Sequence, residues 1–148
     1  MKKTDLAYMA GIIDGEGCIV IHKHKPVGAR IHPWYSLRVT VIMTDRWICE
    51  LFRFSFGGGS IGQRKRKAKH NPAYVWGIGG VAATTMLKCL LPYLKLKRAQ
   101  AELGIKFVTE KQKRNRRVNG KYYLRKPHHI SVLEEAEFIL MKKLKEKA

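Results

Sequence analysis

Two carboxylates, Asp14 and Glu16, stand two residues apart at the end of Leu6-Ala-Tyr-Met-Ala-Gly-Ile-Ile-Asp-Gly-Glu-Gly17, a stretch otherwise spaced as a short apolar helix. In the last turn both meet the negative end of the helix dipole, which disfavours a carboxylate by about 0.3–1 kcal/mol. Something positive must compensate them. In a chain this basic a nearby Lys or Arg would serve, and so would a divalent metal, since hard carboxylate oxygens are what Mg²⁺ takes.

The helix that carries these acids has its own signals. Thr4 is placed as N-cap and Asp5 in the first turn, where an anion meets the positive end of the dipole, and Gly17 supplies the stop. Leu6, Met9, Ile12 and Ile13 recur at helical spacing and bury one face. Ala7, Gly11 and Gly15 recur every four residues and leave a second stripe almost bare, which lets another helix approach closely. The segment is too short and too acidic to span a bilayer, so the expected partner is a helix in water.

Four strands follow by alternation. In Cys18 to Lys25, Ile19 and Ile21 share one face, and Cys18, Val20, His22 and His24 the other. In Tyr35 to Thr44, Leu37, Val39, Val41 and Met43 form the apolar side, and Ser36, Arg38, Thr40 and Ile42 the opposite one. Asp45 caps a second helix with a core stripe of Trp47, Ile48, Leu51 and Phe52, stopped by Gly57-Gly-Gly59. Strands are expected at Ser60 to Lys67, where Gly62, Arg64 and Arg66 share a face, and at Ala73 to Ile78, whose Tyr74 and Trp76 read as core. Val81 to Leu91 is an apolar helix broken at Pro92, and another runs on from Lys95-Leu-Lys-Arg98 through Val108.

The order is helix, strand, strand, helix, strand, strand, helix, an α+β class with further helices appended. One domain is expected over residues 1–148: a core at about 4–110, a basic loop at about 111–127 and a terminal helix at about 130–147. In that last helix Ser131 and Glu134 fit a capping box, and Leu133, Ala136, Leu140 and Leu144 form the stripe expected to pack on the body.

The formal charge of +19 and a pI near 10.2 call for a polyanionic partner. No Asp or Glu occurs between Gly17 and Thr44, or between Leu51 and Ala101, so the strand regions carry cations without acidic neighbours. A sheet with one apolar and one cationic face has the shape that lies in a DNA groove. On that face Arg38, Arg64 and Arg66 can reach guanine edges or phosphates, His22, His24, Ser36, Thr40 and Gln63 can donate or accept, and Arg30 is placed on the connecting loop; an ordinary solvated face stays open for any one of them. Cys18, Cys49 and Cys89 form no disulfide framework or four-ligand zinc pattern, and a zinc site from Cys18, His22 and His24 is set aside. Without a membrane-length apolar run or a secretion signal, the expected setting is intracellular: cytoplasm, nucleoid or an organelle matrix, with no membrane partner.

Met9-Ala-Gly-Ile-Ile-Asp-Gly-Glu-Gly17 resembles the nine-residue signature of the LAGLIDADG homing endonucleases. It matches Ala, Gly, Ile, Asp and Gly, with Met and Ile for the two Leu, Gly for the second Ala and Glu for the second Asp. The order of elements over roughly residues 4–110 is similar to that fold, in which two units pack their signature helices over DNA. The resemblance implies a metal-dependent endonuclease, commonly intron-encoded, that cuts both strands and leaves short 3′ overhangs. With one copy of the signature, it implies a homodimer with Ala7, Gly11 and Gly15 at the seam and a nearly palindromic duplex target.

By the same resemblance Glu16 binds catalytic Mg²⁺ (or Mn²⁺), with the carbonyl of Gly15 as a second contact. Pro92-Tyr-Leu-Lys-Leu-Lys97 resembles the segment holding the family's active-site lysine, here Lys97, while Lys95 is read as solvated. Arg46 is the nearest match to a second basic residue, and an ordinary surface role at a helix start stays equally open. The polar Gln often found near the end of the second strand has no counterpart, since Ile42 and Met43 occupy that place. Relatives of this fold also include splicing maturases, which engage intron RNA, and transcription regulators that bind without cutting.

Overall fold

Helix α1 (Lys3–Glu16) runs without a break into strand β1 (Gly17–His24), and the residue at the join explains how. Gly17 has φ −79 and ψ 153, an extended conformation open to any residue. What it provides is space: a Cβ there would stand 2.6 Å from the Ile13 carbonyl oxygen and 2.7 Å from Ile13 Cα. Gly17→Ala is therefore expected to lower stability by about 1–3 kcal/mol, the usual cost of overpacking against backbone, read as a lower thermal midpoint. An unchanged midpoint would mean that the join relaxes freely.

The computed structural model describes residues 1–28, 32–64, 72–114 and 128–147. Beyond α1 and β1 come β2 (Trp34–Met43), α2 (Arg46–Ser55), β3 (Ser60–Arg64), β4 (Ala73–Gly79), α3 (Gly80–Leu90), α4 (Arg98–Arg114) and α5 (His128–Lys147). The first seven elements give the αββαββα order read from the sequence. The strands form one antiparallel sheet in the order β1-β2-β4-β3.

Register decides which side chains share a side. Ile19 lies opposite Val39, and Val41 opposite both Gly17 and Trp76, so these residues point to the same side of the sheet. Tyr35, Leu37, Val39, Val41, Ile19 and Trp76 are buried there beneath Met9, Ile13, Phe52, Leu87 and Phe107 of the helices. Burial of each large apolar side chain contributes about 1.5–3 kcal/mol, enough to forbid a one-residue slip that would turn the whole set outward. The opposite side of the sheet carries Cys18, Val20, His22 and His24 from β1 and Ser36, Arg38, Thr40 and Ile42 from β2.

Several local expectations are corrected. The N-cap of α1 is Lys2, and Thr4 lies inside the helix; the Asp5 carboxylate accepts from the Lys2 backbone N–H at 3.1 Å, so Asp5 reaches back past Thr4 to close the first turn. Asp45 does cap α2, accepting from the Trp47 N–H at 2.8 Å. Trp47 itself is 57% exposed, because Ile48, Cys49 and Phe52 form the inward stripe. Residues 111–114, assigned to the basic loop, are the last turn of α4; 115–127 lie outside the described residues.

The largest correction concerns α5. It starts three residues before Ser131, so Ser131 and Glu134 form no capping box. Leu133 and Leu140 are about half exposed, and Glu134 and Met141 are buried in their place. The helix docks by its acids: Glu135 takes Lys23 Nζ at 2.6 Å and the Tyr35 hydroxyl, Glu134 lies 3.9 Å from Lys111 Nζ, and Glu137 lies 3.6 Å from Arg114. The hydrogen bond from Lys23, followed by that from Tyr35, holds the Glu135 carboxyl below its ordinary pKa. Among the described residues no helix is long and apolar enough to cross a membrane.

Candidate active site and nucleic-acid interface

The last turn of α1 separates its two acids. Asp14 is half-buried, and its carboxylate is clasped by backbone: Oδ2 accepts from the Lys95 N–H at 2.7 Å and Oδ1 from the Lys97 N–H at 2.9 Å. The Lys97 ammonium then folds onto the helix end, donating to the carbonyl oxygens of Ile13 at 2.9 Å and Asp14 at 2.7 Å. These are carbonyls at the negative pole of α1, so a cation here offsets the dipole. Burial lowers the Lys97 pKa, and the negative charge of Asp14, the largest opposing influence, works against that shift.

Glu16 is different. It is exposed and accepts no hydrogen bond among the described residues. The positive compensation required by the two acids thus goes to Asp14 and the helix end, and the Glu16 carboxylate stays without a hydrogen-bond donor among the described residues. The Gly15 carbonyl belongs to the set that a helix leaves unused at its C-terminus. On the outer side of α1, Ala7, Gly11 and Gly15 are exposed, and a Cβ added at Gly11 or Gly15 would meet nothing within 4 Å.

Arg46 opens α2, and its guanidinium pairs with Glu50 one turn along at 2.8 Å, both side chains largely solvated. The structure thus shows the helix-start surface pair and no contact from Arg46 to Glu16 or Lys97 among the described residues. Lys95 has an exposed side chain, as read from the sequence, but its backbone N–H is engaged by Asp14.

The open side of the sheet brings together most of the polar strand residues. His22 lies opposite Ser36, Val20 opposite Arg38 and Cys18 opposite Thr40. Arg38 is flanked on β4 by Gly79, and Thr40 by Gly77. A Cβ on Gly77 would stand 2.9 Å from Arg38 Nη2 and 3.3 Å from Thr40 Cγ2, so the guanidinium rests across the glycine and would swing aside for a larger residue. His24 is held at the rim, stacked on Trp34 with ring centroids 3.6 Å apart and its Nε2 2.8 Å from Ser36 Oγ. Burial lowers the His22 pKa, and His24, Arg38 and Lys145 lower it further, which leaves the cationic character of this side mainly to arginine.

Arg64 joins the open side opposite Ala73. Gln63 does not: it pairs with Tyr74 and points with Ile61 toward the helix side, because side chains alternate along β3. Its place was legible from Arg64, one residue on. Arg30 and Arg66 lie outside the described residues. Gly77 and Trp34 were not singled out from the sequence; Trp34 shares parity with Ser36, whereas the role of Gly77 depends on a cross-strand neighbour no local pattern reveals.

No family model matches the chain. A DNA endonuclease of Chlorella vulgaris, I-CvuI, is 34% identical over 104 residues, a stretch that covers 69% of this chain and 62% of the relative. The chain thus aligns with less than two-thirds of that relative's length. The crystal structure of I-CvuI in complex with its target superposes with a TM-score of 0.72 at 23% identity, over 95% of this chain and 82% of that one. An archaeal intron-encoded homing endonuclease complexed with DNA gives 0.64 at 14% identity over 98% and 99% of the two chains. The LAGLIDADG homing endonuclease I-SmaMI bound to cleaved DNA gives 0.63 at 14% identity, over 93% of this chain and 42% of that one.

The structural likenesses define the fold, that of the homing endonucleases. The relative in sequence and the signature at the end of α1 agree with that fold: the chain is similar to the LAGLIDADG homing endonucleases.

Proposed function

We propose that this chain is one half of a homodimeric, site-specific endonuclease that hydrolyses phosphodiester bonds in double-stranded DNA at a long, nearly palindromic target, leaving short 3′ overhangs. The observation that carries the reading is the exposed Glu16 carboxylate at the same helix end whose Ile13 and Asp14 carbonyls hold the Lys97 ammonium, at the foot of a bare helix stripe. The relative's name as a DNA endonuclease, and its crystal structure with its target, support the same reading.

Glu16 and the Gly15 carbonyl suit Mg²⁺ or Mn²⁺, since both offer hard oxygen and the Glu16 carboxylate accepts no hydrogen bond among the described residues. Among the described residues no group of three or more His, Cys, Asp or Glu converges on one point. One copy therefore supplies part of a shell, and a two-fold seam along Ala7, Gly11 and Gly15 would bring the partner's Glu16 to the same centre. A bound divalent ion supplies Lewis acidity toward the phosphate and a more acidic water. Lys97 stands ready to steady the developing negative charge, and its partial burial strengthens that interaction. The open side of the sheet, with Arg38, Arg64, His22, His24, Ser36 and Thr40, lies along the groove, arginine taking guanine edges or phosphates. Arg46 is assigned to phosphate contact near the site, in exchange for its exposed pairing with Glu50.

The test is selection of cleaved sequences from a randomised duplex library, with Mg²⁺ or with chelator. Metal-dependent cuts at a nearly palindromic site are expected. Specific binding without cuts would instead make the chain a maturase or transcription regulator of the same fold.

A further inference from the structure

We propose that Asp14 is a positioning residue for the cutting reaction, its carboxylate fixing the Lys95–Lys97 backbone so that the Lys97 ammonium is held on the end of α1 beside Glu16. The inference rests on the reading of Glu16 and Lys97 given above.

An acid in the last turn of a helix is unfavourable by itself, so its interactions must more than offset the dipole. Those of Asp14 do so by reaching 81 and 83 residues along the chain to two backbone N–H groups, at 2.7 and 2.9 Å, as charge-assisted hydrogen bonds. The segment they hold lies between the end of α3 at Leu90 and the start of α4 at Arg98, just beyond the turn that the Tyr93 and Leu94 N–H groups close on the Leu90 carbonyl. Leu94 anchors the start of the segment in the core, whereas Leu96, between the two clasped amides, is 70% exposed, so from Lys95 onward the hold comes from Asp14 and not from apolar packing.

Lysine has a long, flexible stem and scatters unless both its ends are held. Here one residue holds both: the Asp14 carboxylate takes the Lys97 backbone, and the Asp14 carbonyl, with that of Ile13, takes the ammonium. Asp14 touches no substrate in this scheme and acts through Lys97 alone.

That restriction makes the test a double-mutant cycle on single-turnover cleavage, using the duplex recovered by selection. Asp14→Asn keeps shape but presents an amide to one of the two N–H groups; it is expected to cut about tenfold more slowly, with affinity for the duplex in chelator unchanged. Lys97→Ala is expected to lose about 10²-fold, and Asp14→Asn added to Lys97→Ala to slow it no further. In full-length protein labelled with ¹⁵N-lysine, the Lys95 and Lys97 amide resonances shift in Asp14→Asn, whether or not DNA is present. Asp14→Glu, which keeps the charge but moves the carboxylate outward, serves if the asparagine variant melts, with the same non-additive loss expected.

Losses that multiply, wild-type cutting by both Asp14 variants, or unmoved amide resonances would overturn the role of Asp14 alone. A wild-type chain that yields no cut duplex, or a Lys97→Ala variant that cuts normally, would overturn the proposed function and this inference with it.

Discussion

Glu16→Gln is expected to slow DNA cleavage by about 10³-fold or more while leaving specific binding within about threefold of the unmodified protein. The amide has the shape of the acid but neither its charge nor its second anionic oxygen, so under the proposed activity it would lose the hold on a divalent ion and little else. Nothing within the chain depends on that charge through a hydrogen bond, since Glu16 is exposed and accepts none among the described residues. The thermal midpoint should stay in place, and with it the sheet proposed to meet DNA. Gel-shift titration in chelator and single-turnover cleavage in Mg²⁺, run on the same duplex, separate the two effects. Equal cutting by wild type and variant would remove Glu16 from the reaction.

The second large effect is expected from Gly11→Leu. In an isolated chain this change is harmless: a Cβ at Gly11 meets nothing within 4 Å, and exchanging a helix-interior glycine for leucine favours the helix by up to about 1 kcal/mol. The folded monomer should be as stable as before or slightly more so. In a two-fold dimer seamed along Ala7, Gly11 and Gly15, the added side chain stands between helix backbones twice over. Overpacking of about 1–3 kcal/mol per copy weakens the dimer by about 10²-fold or more. Sedimentation at micromolar concentration should find monomers, and cutting should fall with the loss of the composite site. A dimer as tight as wild type would place the seam elsewhere.

These two changes act on residues that local pattern alone made conspicuous. The bare stripe, the dipole-opposed acids and the strand alternation are properties of short windows, and they survive into the fold because nothing distant overrides them: Ile19 and Ile21, or Leu37, Val39 and Val41, need only a period of two to name their side of the sheet. The clasp of Asp14 on Lys95 and Lys97 was invisible for the opposite reason, being made with amides more than 80 residues away. The packing of α5 was misread on the same ground. Its leucine spacing pointed inward, yet Glu135 finds Lys23 and Tyr35, 112 and 100 residues off in sequence, and the acid side faces the body. Trp47 and Gln63 are smaller errors. The first followed hydrophobicity where Ile48, Cys49 and Phe52 already filled the stripe, and the second ignored the parity set by Arg64.

The two-sidedness of the sheet carries an evolutionary consequence. His22, Ser36, Arg38 and Thr40 leave the strands on the side away from the packed helices, and none takes part in the contacts that join Asp14, Lys95 and Lys97. Under the proposed activity, a lineage can change its address in a genome one strand position at a time. Each exchange costs the scaffold no more than about 0.5 kcal/mol, the usual toll of a surface substitution, and leaves the cutting chemistry as it was. Retargeting by drift, or by design, would reach Gly77 as well, where a Cβ would push aside only the guanidinium end of the flexible Arg38 side chain.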